Sequence, residues 1–211
     1  MSASDATPPL DAVQARILGC LVEKAATTPD AYPLTENALV MACNQKTSRE
    51  PVMDLEPGVV GHGLRQLEDR GMVRVVHGAR ALRYEHRFDE AFTVTPRQRA
   101  VLCLLLLRGP QTQAELLARA ERLAAFPSLD DVRDTLDRLI ARQPPLVVRL
   151  PRGAGQREDR YMHLLSGIEA AEAAAARLPA APLAAAASSD LLARIDALEA
   201  RIAALESRLP D

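Results

Sequence analysis

Apolar residues in the first third of the chain recur at intervals of three and four. Leu10, Val13, Ile17, Leu18 and Leu21 do so over 10–24, and Val59, Val60, Leu64 and Leu67 do so after Pro57. This spacing gathers them on one face of a helix and predicts a first and a third helix. Between the two, Thr35 precedes the run 36–42. Its hydroxyl can accept from an otherwise orphaned amide, so it reads as the N-cap of a short second helix. Pro57 suits the first position of the third helix, where no amide hydrogen is needed, and Gly71 suits its end. The period then changes to two. Residues 72–76 form one β-prone run, 77–80 make a turn, and Leu82, Tyr84, His86 and Phe88 alternate along a second run. Three helices followed by a hairpin is the order of a winged helix, and the tight link at Gly71 lets the hairpin and the last helix share one small core.

The same order recurs about 80 residues later. Thr95 and Pro96 open a helix whose core side is Val101, Leu102, Leu105 and Leu106, and 108–110 break it. Thr112 caps a short helix to Ala120, and Val132, Leu136, Leu139 and Ile140 mark a third. Strands are expected at 146–150 and 160–165, joined by a polar loop. The expected class is therefore mainly α with small β hairpins (α+β): two tandem winged-helix domains, 10–92 and 93–167, after a disordered lead at 1–9. An Ala/Pro-rich stretch at 168–189, helical at most in its first part, reads as a semi-flexible linker. In the final segment, 190–209, Leu191, Ile195, Leu198, Ile202, Leu205 and Leu209 follow a heptad spacing, the pattern of a short coiled-coil helix. With under three heptads, it pairs two chains into a homodimer, folds back on its own domain, or stays loose.

Composition narrows the classes. Cys20, Cys43 and Cys103 are odd in number and lack metal-ligand spacing, so they read as buried free thiols in a reducing compartment. The first residues lack a basic segment followed by an apolar run, and the longest apolar run, 101–107, is too short to span a bilayer. A cytoplasmic protein with no membrane partner is expected. The net charge of -2 gives no global attraction to nucleic acid. Residues 10–92 carry 10 basic and 12 acidic side chains, whereas 93–165 carry 12 basic and 8 acidic. The second half alone thus favours an anionic partner.

The sharpest local feature is CNQKTSREPVM at 43–53, which falls where a helix-turn-helix leads into its recognition helix. Lys46, Thr47, Ser48 and Arg49 can hold phosphates there, and Asn44 or Gln45 can read a base edge. The same segment can instead form a protein-binding surface, or its residues can cap helices and turns, with Arg49 and Glu50 paired inside the domain. Arg65 on the third helix, Arg80 in the first hairpin turn, and Arg152 and Arg157 in the second hairpin loop complete the DNA-binding candidates. Glu50, Asp54, Glu68 and Asp69 stand against that reading. On the third helix of the second half, Asp134 and Arg138 are four apart and can pair. His62, His77, His86 and His163 form no metal or catalytic pattern. For His86 and His163, partial burial with a hydrogen bond is the ordinary expectation. Neither an enzyme nor a cofactor is expected.

The segment 43–53, together with TTPDAYPLTENAL at 27–39, RILGCLVEK at 16–24, LLLRGPQTQAEL at 105–116, VVRLPR at 147–152 and RYMHLLSG at 160–167, resembles the YceH-like family of bacterial proteins (UPF0502) along its full length. The resemblance implies two winged-helix domains and supplies no activity. The reading from sequence is a DNA-binding winged-helix protein with a transcriptional regulatory role and double-stranded DNA as partner. The alternative is a protein-protein interaction adaptor that makes no direct contact with nucleic acid, since winged helices serve both purposes.

Overall fold

The first helix starts with a reciprocal cap. The Asp11 carboxylate accepts from the Gln14 amide at 2.8 Å, while the Gln14 side chain accepts from the Asp11 amide. The computed structural model describes residues 9–78, 81–150, 152 and 158–177. Helix α1 (Ala12–Thr27) is followed by strand β1 (Leu34–Thr35), helices α2 (Glu36–Cys43) and α3 (Pro57–Asp69), strands β2 (Val73–His77) and β3 (Leu82–His86), and a short helix α4 (Phe88–Phe92). Thr35 caps α2 and Pro57 stands at the first turn of α3, as their residue types predict. Gly71 takes a φ of +67°, the left-handed conformation that lets the chain leave α3 directly into the hairpin.

Helices α5 (Pro96–Arg108), α6 (Gln113–Ala120) and α7 (Leu129–Ile140) precede strands β4 (Val147–Leu150) and β5 (Arg160–His163) and helix α8 (Ile168–Ala176). Thr95 and Thr112 each form a full capping box, with Gln98 and Glu115. Both sheets are antiparallel: β1-β3-β2, and β4-β5. Two pairings are absent from the periodicity. Leu34 pairs with Tyr84, and Gln111, just before α6, bridges Tyr161 with N···O distances of 3.0 and 2.8 Å. In each half, one or two extended residues before the second helix thereby join the hairpin. The fold is α+β with small antiparallel hairpins and is winged-helix-like.

One hydrophobic cluster runs from Leu10 to Leu165 and draws on both halves. Its centre is the contact of α1 with α5. A Cβ placed on Gly19 would lie 2.9 Å from Leu107 Cδ2, so the missing side chain is what allows the two helices to come this close. The Cys103 thiol donates to the Gly19 carbonyl at 3.4 Å across the same contact. Every residue from Ala100 to Leu107 is buried, including Cys103, Leu104 and Leu107, which the helical pattern alone does not assign to the core. α5 is apolar all round because it packs on α1 on one side and on α6, α7 and β5 on others. In α8, Ala171 is buried and packs with Leu150 and Met162. Residues 178–211, with the predicted coiled-coil positions, lie outside the described residues, as do Arg80 and Arg157.

Candidate functional site: the α2–α3 loop and the third-helix faces

The loop between α2 and α3 is held by side chains turned inward. α2 ends with carbonyls that have no partner within the helix. Two buried arginines meet them: Arg49 Nε donates to Ala42 O at 3.1 Å, and Arg16 Nη1 donates to Cys43 O at 2.9 Å. Arg16 also donates to Pro51 O at 2.5 Å and so ties the far end of the loop to α1. Arg49 closes a fork on Glu23 of α1, at 3.0 and 2.5 Å, and its remaining donors go to Ser48 O and Gln45 Oε1. Burial, the largest single influence, lowers the affinity of Arg49 for its proton, but the hydrogen bonds and charge of Glu23 together with the neighbouring Cys20 and Cys103 leave its pKa raised. Arg16 has no carboxylate partner among the described residues; burial lowers its pKa, and its Nε is without a hydrogen-bond partner among them. Asn44 spans the loop, accepting from the Leu55 amide at 2.8 Å and donating to the Leu55 carbonyl at 2.9 Å.

The candidate set for DNA therefore divides. Arg49 is only 4% exposed and all five of its donors are used, which removes it from a phosphate-facing group. Asn44 and Gln45 are engaged within the loop, and the Ser48 hydroxyl accepts from Arg108 Nη2 at 2.6 Å. Lys46, Thr47, Arg65 and Arg152 are exposed. Sequence reasoning passed over Arg16 and Glu23. Their signal was charge within a largely apolar helix, which also carries Lys24.

The solvent faces of the third helices are poor in positive charge. On α3, Arg65 is exposed beside Glu68 and Asp69, and Glu56 is exposed at the N-cap. Arg70 turns toward α1 and donates to Gln14 Oε1 at 2.8 Å. On α7 the exposed charges are Asp130, Arg133, Asp134, Asp137 and Arg138. The ion pair that forms there is Arg133 with Asp130 at 2.7 Å, not Asp134 with Arg138. Guanidiniums on other elements are likewise compensated: Arg74 by Glu85, Arg87 by Glu90, Arg97 by Asp131, Arg99 by Asp89 and Arg149 by Asp159. Met41 of α2, Val52 of the loop, Val59 of α3 and Leu129 of α7 are exposed apolar side chains.

All three cysteines are buried and free. Burial pushes the Cys103 thiol up; the hydrogen bond with Cys20, then burial, pushes Cys43 up. His86 Nδ1 accepts from the Phe88 amide at 3.3 Å, as an ordinary strand histidine does. His163 departs from that expectation. It is wholly buried with Nδ1 unpaired, and burial lowers its pKa to about 4. Among the described residues, no group of His, Cys, Asp and Glu is arranged to hold a metal ion, and no helix is long and apolar enough to cross a membrane.

These elements define a helix-rich, winged-helix-like chain with a fastened loop ahead of its third helix. Residues 10–156 match the family model described as "Protein of unknown function, DUF480". A UPF0502 protein of Xanthomonas campestris pv. campestris is 58% identical over 206 residues, covering 96% of this chain and 92% of the relative. One of Mesorhizobium japonicum is 54% identical over 208 residues, covering 98% and 97%. One of Azotobacter vinelandii is 60% identical over 161 residues, covering 76% and 71%. The chain belongs to this UPF0502, YceH-like family.

Proposed function

We propose that the chain is a non-enzymatic, cytoplasmic protein-interaction adaptor. In this reading two tandem winged-helix units, 10–92 and 93–167, present their third helices to protein partners, and the heptad segment 190–209 pairs two chains. The observation that carries it is the charge of those helices. Acids outnumber bases on the exposed faces of both α3 and α7, so a DNA backbone placed against either would meet like charge. The exposed Val59 and Leu129, on α3 and α7, supply the apolar contact a protein partner needs.

A DNA-contacting regulator is the second reading, favoured by the exposure of Lys46, Thr47 and Arg65 around the loop and by Lys46 having no carboxylate partner among the described residues. Fluorescence anisotropy of the full chain with a random-sequence duplex, titrated with salt, separates the two. The adaptor reading expects no binding even at low salt, together with partner capture that Val59→Asp and Leu129→Asp abolish and Arg74→Ala leaves intact. Steeply salt-dependent DNA binding that is lost in Lys46→Ala and Arg65→Ala would sink it.

A further inference from the structure

Where the α2–α3 loop meets the end of α5 and the start of α6, guanidiniums outnumber the carboxylates available to them. Arg108, the last residue of α5, donates to Ser48 Oγ at 2.6 Å and has no carboxylate partner among the described residues. Arg119 of α6 is held by the Gln111 side chain, and Gln111 in turn donates to the carbonyls of Arg108 at 3.3 Å and Pro110 at 3.0 Å. Arg160 of β5 donates to Pro110 O at 3.0 Å and to Glu115 Oε2 at 2.8 Å. That oxygen is also the nearest carboxylate to Arg119, at 4.0 Å, and it accepts from the Thr112 amide at 2.9 Å. Arg119 and Arg160 thus share one carboxylate, and Arg108 has none among the described residues.

The other nearby acids are largely committed. Glu23 is taken by Arg49 and by Lys24 at 3.7 Å, and Asp159 by Arg149. Glu50 is exposed, its backbone anchored to Leu107 O at 2.8 Å. Lys46 and Thr47 are exposed in the same bend as Ser48. Burial lowers the Arg108 pKa, and Arg119 lowers it further, so the two cations repel each other in place.

We propose that this seam binds the phosphoryl group of a small phosphorylated ligand. Arg108, Arg119 and the Ser48 hydroxyl contact its oxygens, and Lys46 adds attraction from the rim. A tetrahedral dianion fits because its several acceptor oxygens can take donors from different directions, and guanidinium forks suit that geometry. It relieves the repulsion between Arg108 and Arg119. It also bridges Ser48, from the first half of the chain, to α5 and α6 of the second, so ligand binding stiffens the contact between the halves. The site is separate from the third-helix faces: Val59→Asp alters the docking face and leaves these guanidiniums in place.

The test is calorimetric titration of pyrophosphate into the full chain at low ionic strength, with acetate as a monoanionic comparison. Saturable pyrophosphate binding is expected, with acetate binding far weaker. Arg108→Gln and Arg119→Gln should each weaken it by roughly tenfold or more, while Arg133→Gln, on the solvent face of α7, leaves it unchanged. Thermal melts establish that the variants fold; if Arg108→Gln does not, Arg119→Gln and Lys46→Ala decide. Absence of saturable binding, or equal binding by all variants, overturns the proposal. So does duplex DNA binding that depends on Arg108 and Arg119 when pyrophosphate does not bind, because the surface then belongs to a nucleic-acid backbone.

Discussion

Arg49 reaches from the α2–α3 loop to grip both carboxylate oxygens of Glu23, twenty-six positions earlier in α1, at 3.0 and 2.5 Å. The Arg49 side chain is fully buried and that of Glu23 is 18% exposed, so solvent screens this pair little. Arg49→Ala should therefore cost about 3–5 kcal/mol, because it strands the Glu23 carboxylate and takes a donor from the carbonyls of Ala42, at the end of α2, and Ser48, in the loop. Urea unfolding followed by circular dichroism measures it. Replacing both partners, as Glu23→Gln with Arg49→Met, should cost less than Arg49→Ala alone. A loss below about 1 kcal/mol in the single variant would show that the pair does not hold the loop.

Asn44 gives a milder test of the same loop. Asn44→Ala removes both bonds to Leu55 and should cost about 1–2 kcal/mol, with faster hydrogen exchange confined to residues 44–56. Unchanged exchange there would mean that the loop is held by the arginines alone.

Gly19 tests the contact of α1 with α5. Gly19→Val places carbon atoms against Leu107 and Leu106, and overpacking should cost about 1–3 kcal/mol despite the gain in helix propensity over glycine. Equilibrium unfolding of the variant checks it, and a stability equal to that of the parent would contradict so close an approach.

His163 makes stability depend on pH. Its folded pKa is depressed to about 4 against an unfolded value near 6.5, so the unfolded chain binds the extra proton first. The contribution is fully present above about pH 6.5 and is lost as pH falls toward 4, on the order of 3 kcal/mol in all. His163→Phe should flatten that limb of the pH–stability curve. A variant curve parallel to the parent's between pH 4 and 6.5 would refute the assignment.

Local structure was legible because its causes are local. Thr35, Thr95 and Thr112 cap helices with their own hydroxyls, Pro57 and Pro96 open helices, and Gly71 takes the conformation that a side chain would strain. The 101–107 run was legible as a helix, but its three- and four-residue spacing put only one side in the core. Its remaining sides are buried because α1, distant in sequence, lies against it.

The chain pattern alone established the order of helices and hairpins, the caps and the family. Tertiary structure decided which polar residues face water. Arg49 and Lys46 stand in one short polar segment and look equivalent as letters. Arg49 is buried because the Glu23 carboxylate of α1, the Ala42 carbonyl at the end of α2 and the loop acceptors Ser48 O and Gln45 Oε1 converge on it, repaying the loss of hydration. Lys46 meets no such partners among the described residues and stays exposed.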